Sequence, residues 1–178
     1  MDIWQFAHRS GFRRTNVVAR LLVLGVIFSA AGSFSAVAQS SAPDPRVTPG
    51  AINPEVTQDN IQSTICVRGW TRTVRPARAF TQSLKRQQIA DLGYQDRRVS
   101  QYEEDHLIPL SLGGAPRDPR NLWPEPRFPA DGWTAEVKDE LEAALPRLVC
   151  NGQVSLEEAR AAFATDWRDA WNRYIGSR

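Results

Sequence analysis

The stretch Tyr102-Glu103-Glu104-Asp105-His106 places one histidine directly behind three carboxylates, ahead of Gly113-Gly114, Asn121 and Trp123. Imidazole, with an ordinary pKa near 6.5, is the side chain best suited to take a proton from water near neutral pH. Neighbouring carboxylates alone would raise that pKa and hold the ring as imidazolium. A divalent cation on the acids would offset them and favour the neutral ring. The arrangement therefore makes most sense with Asp105 binding a cation and His106 free as a base. On a strand the two side chains point to opposite faces, so a bulge or a strand end is needed to converge them.

The elements around this segment follow from periodicity and turn residues. Val56 to Cys66 predicts a short helix with Val56, Ile61 and Ile65 inward, and Gly69 to Pro76 an extended piece. A helix is expected from about Thr81 to Leu92, stopping near Gly93, with Phe80, Leu84, Ile89 and Leu92 on one face and Lys85, Arg86, Gln87 and Gln88 in water. The acidic stretch opens as a short strand, turns at Gly113-Gly114 and at the prolines Pro116 and Pro119, and resumes as an extended piece at Asn121 to Pro126. Trp123 reads as core rather than as a base-stacking platform. A helix from about Thr134 to Val149 buries Val137, Leu141, Ala144, Leu145 and Leu148, with Pro146 expected to break or kink its last turn. Ser155 and Glu158 form a capping box for a final helix carrying Ala159, Phe163, Trp167 and Trp171.

The first 38 residues read as a secretory signal: Arg9, Arg13, Arg14 and Arg20 precede an apolar run, Leu21 to Phe28, and small residues at Ala36 and Ala38 suit cleavage. An uncleaved membrane anchor is the alternative, but Ser29, Gly32, Ser33 and Ser35 interrupt the run short of roughly 20 apolar residues. The expected product is exported, periplasmic or secreted, with no stable membrane insertion. It would begin with a flexible segment, residues 39–55, rich in Ser, Pro and Ala, followed by one domain over residues 56–178. Cleavage leaves 18 basic against 19 acidic residues and makes His106 the only histidine, which excludes zinc sites needing two. Cys66 and Cys150 are the only cysteines; in an oxidising compartment they read as one disulfide, against two separate thiols. Residues 68–98 carry eight basic side chains against Asp91 and Asp96, a face able to attract phosphate or simply to be solvated.

The residues Asp105-His106, Leu107-Ile108-Pro109-Leu110, Gly113-Gly114 and Asn121-Leu122, followed by the helix from about Thr134, resemble the HNH, or ββα-metal, endonucleases. More narrowly, the run from Glu103 to Gly114, the run from Pro119 to Pro126 and the later Lys138-Asp139-Glu140-Leu141-Glu142 are similar to a group of exported bacterial HNH-like proteins. The resemblance implies that Asp105 ligates a metal, that His106 is the general base, and that Asn121, with Gly113 and Gly114, supports the loop. The family places His or Asn on the helix as a further ligand. Here Asp139 and Glu142 are the candidates, on a carboxylate set suited to Mg2+. Lys138, Arg117, Arg120 and Arg127 are the candidate phosphate contacts.

The expectation is thus an α+β protein: a small strand-loop-strand-helix unit surrounded by helices and fastened by one disulfide. Its expected activity is metal-dependent, largely sequence-nonspecific hydrolysis of nucleic acid, DNA ahead of RNA, with no base-reading helix in view. The rival is an HNH-like scaffold without catalysis that serves as a binding or structural module in the cell envelope. Protein partners are not legible.

Overall fold

The computed structural model describes residues 40–176; the expected signal lies outside the described residues. Two short strands form an antiparallel pair, β1 (Tyr102–His106) and β2 (Leu122–Pro126), in the register Glu103 opposite Glu125, Asp105 opposite Trp123 and His106 opposite Leu122. Around them lie α1 (Trp70–Val74), α2 (Arg78–Asp91), α3 (Ala135–Cys150) and α4 (Leu156–Tyr174). The protein is therefore α+β, and Cys66 and Cys150 are joined in a disulfide. One apolar core runs from Val56, Ile61 and Ile65 through Leu107, Ile108, Leu112 and Trp123 to Leu141, Leu145, Phe163 and Trp167.

Several elements differ from expectation for local reasons. Val56, Ile61 and Ile65 are buried as expected, but only a single 3-10 stretch, Gln58–Ser63, forms between them. Residues expected to be extended after Gly69 instead make α1. Only Arg75, constrained by the following proline, leaves the helix with ψ 128°. In α2, Lys85 and Gln88 are buried instead of solvated and Leu92 is exposed. The reason lies in the sheet: Lys85 Nζ donates to the Tyr102 carbonyl at 2.8 Å and Gln88 Nε2 to the Leu122 carbonyl at 2.8 Å. A two-stranded sheet leaves outward carbonyls, and these polar side chains answer them.

Helix α3 continues through Pro146 to Cys150, with Val149 in the core and Cys150 held by the disulfide beyond the proline. Helix α4 starts at Ser155, whose hydroxyl accepts from Glu158 N–H at 3.1 Å. It is interrupted at Asp166 (φ −160°, ψ 104°), whose carboxylate accepts from Arg168 N–H at 2.9 Å and so caps the second half. The lead-in is not a loose tail from Ser41 onward. Trp167 Nε1 donates to the Ser41 carbonyl at 3.1 Å, and Gly50 N–H and Ala115 N–H tie the lead-in to the loop through the Arg120 and Ala51 carbonyls, both at 2.9 Å.

Candidate functional site

The site begins with the loop between the strands, which Asn121 holds shut. Asn121 is fully buried; its Oδ1 accepts from Ile108 N–H at 2.9 Å, and its Nδ2 donates to the carbonyls of Ile108 at 3.0 Å and Ala115 at 3.2 Å. These bonds close the chain over Gly113 and Gly114. Gly113 has φ +70°, the left-handed region, and a Cβ there would press on Val56. At Gly114 a Cβ would sit 1.8 Å from the Ile108 carbonyl oxygen, so this approach admits only glycine. Arg160, which sequence reasoning missed, fastens the same loop from α4 by donating to the Leu112 carbonyl at 2.8 Å and the Val56 carbonyl at 3.0 Å.

The closed loop places a carbonyl over the histidine. His106, the last residue of β1, has Nε2 3.1 Å from the Pro116 carbonyl oxygen. A carbonyl can only accept, so Nε2 carries the proton and Nδ1 presents the lone pair. Burial holds the pKa of the ring below its ordinary value; the Pro116 bond and Asp105 oppose this, and the charges of Arg75 and Lys138 add to it. The neutrality that the sequence argument sought from a metal thus has another source, desolvation first.

Alternation along the strands separates two faces. Tyr102, Glu104 and His106 share one. Glu103 and Asp105 share the other with Glu125 and Trp123 of β2. Onto this second face α3 inserts Lys138, which is 1 % exposed. Its ammonium donates to Asp105 Oδ2 at 2.5 Å, to the His106 carbonyl at 3.1 Å and to Glu142 Oε1, and it lies 5.4 Å from the centre of the Phe163 ring. Burial opposes the charge on Lys138, but Asp105, Glu142 and Glu125 outweigh it and hold the amine protonated. Burial pushes Glu142 up to about 7 and Glu125 well above the usual carboxylate range. Glu125 is 1 % exposed and its Oε1 has no partner.

The expected residues are therefore distributed as follows. Asp105 and Glu142 come together, but on the Lys138 ammonium. Asp139 is exposed, with its carboxyl raised by burial and by the charges of Asp105 and Glu103. Lys138, expected at a phosphate, is interior and has all three N–H donors engaged. Arg127 pairs with Glu103 at 2.9 Å, Arg120 pairs with Asp118 at 2.6 Å, and Arg117 is exposed. Glu125 was missed, although its parity with Glu103 across the strand pair could have found it. Arg75 belongs to the basic face of residues 68–98, but its proximity to His106 is tertiary and has no local signal in the sequence.

A divalent ion held by Asp105, Asp139 and Glu142 does not fit this arrangement. Two of the three carboxylates are bound to an internal cation. Among the described residues, no three or more His, Cys, Asp and Glu side chains are arranged to hold a metal. Among the same residues, no helix is long and apolar enough to cross a membrane. The chain matches no family model, no curated protein and no solved structure.

Proposed function

We propose that this protein hydrolyses phosphodiester bonds of nucleic acid, with His106 as the general base. The observation that carries the reading is the commitment of the Nε2 proton to the Pro116 carbonyl, which leaves Nδ1 as the lone-pair nitrogen of a ring kept neutral by burial. Such a nitrogen can draw a proton from the attacking water. Arg75, whose charge bears on the same ring, and the exposed loop residue Arg117 supply the positive potential that a phosphate needs. The resemblance of the Asp105-His106, Gly113-Gly114 and Asn121-Leu122 positions to the HNH endonucleases supports the same reaction. The Mg2+ which that resemblance implies receives no step here, because the Lys138 ammonium stands among its expected ligands.

That last observation favours a second reading, a non-catalytic module of HNH-like form that binds nucleic acid through its arginines. Nicking of supercoiled plasmid, together with cleavage of labelled single-stranded DNA and RNA, in Mg2+ and in EDTA, separates the two. Under the hydrolytic reading His106→Ala loses about 100-fold or more in rate while its urea melt stays cooperative. Equal cleavage by the variant and the parent removes His106 from the mechanism. Salt-sensitive binding with no cleavage in any buffer supports the module instead.

A further inference from the structure

Between Asp59 and Asp91 the chain has no acidic residue, yet it carries Arg68, Arg72, Arg75, Arg78 and Arg86. All five are exposed, and among the described residues none of them has an ion-pair partner. Arginines elsewhere are neutralised close by: Arg46, Arg98, Arg120 and Arg168 each hold the aspartate two residues earlier. A run of arginines without such partners keeps its full charge for something outside the chain.

Part of this run is α1, which packs against the Leu110–Leu112 turn just beyond His106, and Arg75 at its end bears on the His106 ring. At its other end a cleft of about 450 Å³ opens between residues 65–71 and the last turn of α3. Arg68 belongs to one wall and Arg147 to the other, Trp70 and Pro146 add apolar surface, and no Asp or Glu lines the cleft. The disulfide from Cys66 to Cys150 ties the two walls together, so the cleft is formed before anything enters it. An indole between two guanidinium groups suits a flat aromatic ring that carries phosphate, which is the chemistry of a nucleotide.

We infer that the ligand of this face is single-stranded nucleic acid: an unpaired base seats against Trp70 between Arg68 and Arg147, and the phosphates of the strand follow Arg72 and Arg75 to His106. Seating a base requires it to leave its stack, which a single strand permits and a duplex permits only by flipping the base out. At a rise of 1.5 Å per residue, Trp70 and Arg75 lie about 8 Å apart along α1, so one strand can fill the cleft and pass Arg75 at once. The inference rests on the reading of nucleic acid as the ligand and narrows it to one form.

The test is binding to the folded protein, read by fluorescence anisotropy in EDTA. Labelled single-stranded DNA of about 12 nucleotides, RNA of the same sequence and the matching DNA duplex are compared at about 50 mM salt, where phosphate contacts are strong. One of the single strands should bind at least about tenfold tighter than the duplex. Trp70→Leu, Arg68→Ala and Arg147→Ala should each weaken that binding about fivefold or more, whereas Arg173→Ala, which removes one positive charge outside the cleft, should weaken it less than about twofold. Duplex bound as tightly as either single strand, or no binding of either single strand, overturns the inference. So does an Arg173→Ala loss equal to those of Arg68→Ala and Arg147→Ala.

If Trp70→Leu does not fold, the ligand is changed instead of the protein. A strand of the same length built from abasic sites keeps every phosphate and loses every base. Binding weaker by about fivefold or more upholds the seat at Trp70. Equal binding shows that charge alone holds the strand and overturns the inference. A single strand bound in the expected pattern but never cleaved in Mg2+ leaves the inference standing and removes hydrolysis; cleavage that requires His106 without preference for single strands does the reverse.

Discussion

Glu104 sits on the histidine face of β1 with both carboxyl oxygens buried and without a hydrogen-bond partner. Burial pushes its pKa from 4.5 up to about 8, opposed by Lys85 and reinforced by Asp105. A carboxyl raised in this way binds a proton more tightly in the folded than in the unfolded chain. Its contribution to stability is therefore complete below about pH 4.5 and is lost as pH rises toward 8. At about 1.4 kcal/mol per pH unit the full gap corresponds to about 4–5 kcal/mol, and residual solvent access reduces our expectation to about 2–3 kcal/mol. Glu104→Gln keeps the shape and removes the titration. It should match the wild type near pH 4 and exceed it by about 2–3 kcal/mol near pH 9, with a midpoint higher by roughly 10 °C. Urea and thermal melts of both proteins at pH 4.5, 7 and 9 measure this. Glu142, pushed up to about 7, titrates with the same sign in the same range, so the quantity to compare is the difference between the two proteins at each pH. Parallel stability curves, or a variant less stable than its parent at pH 9, would show that the Glu104 carboxyl finds a partner or water in solution and would refute the reasoning.

Asn121→Ala leaves Ile108 N–H, the Ile108 carbonyl and the Ala115 carbonyl unpaired in a buried loop and should cost about 2–4 kcal/mol in a urea melt. Gly114→Ala should cost at least as much, because the added Cβ meets the Ile108 carbonyl oxygen at 1.8 Å and the loop must open to admit it. Replacing Cys66 and Cys150 together by Ser removes a crosslink across 84 residues; calorimetry should show a loss of about 4 kcal/mol at most.

The parts of the fold readable from sequence are those that a local rule dictates. The glycine and proline turns bracket β1, the Gly113-Gly114 loop and β2, and the 3.6-residue period with the Ser155 capping box locates α2, α3 and α4, because each rule acts on neighbours in the chain. The same local view misplaces Lys85, Gln88 and Lys138. Nothing in a helical period says that a polar side chain will find a carbonyl or a carboxylate on another element, and such a partner converts an expected surface residue into an interior one. Asp105 illustrates the consequence for function. Its carboxylate beside His106 demands a cation, and the structure meets that demand with charge of the right sign at 2.5 Å, supplied by the chain itself. A sequence can therefore reveal that an acidic cluster needs compensation while leaving open which cation provides it. In this structure the compensation comes from a single side chain on α3, Lys138, whose ammonium meets Asp105, Glu142 and the His106 carbonyl.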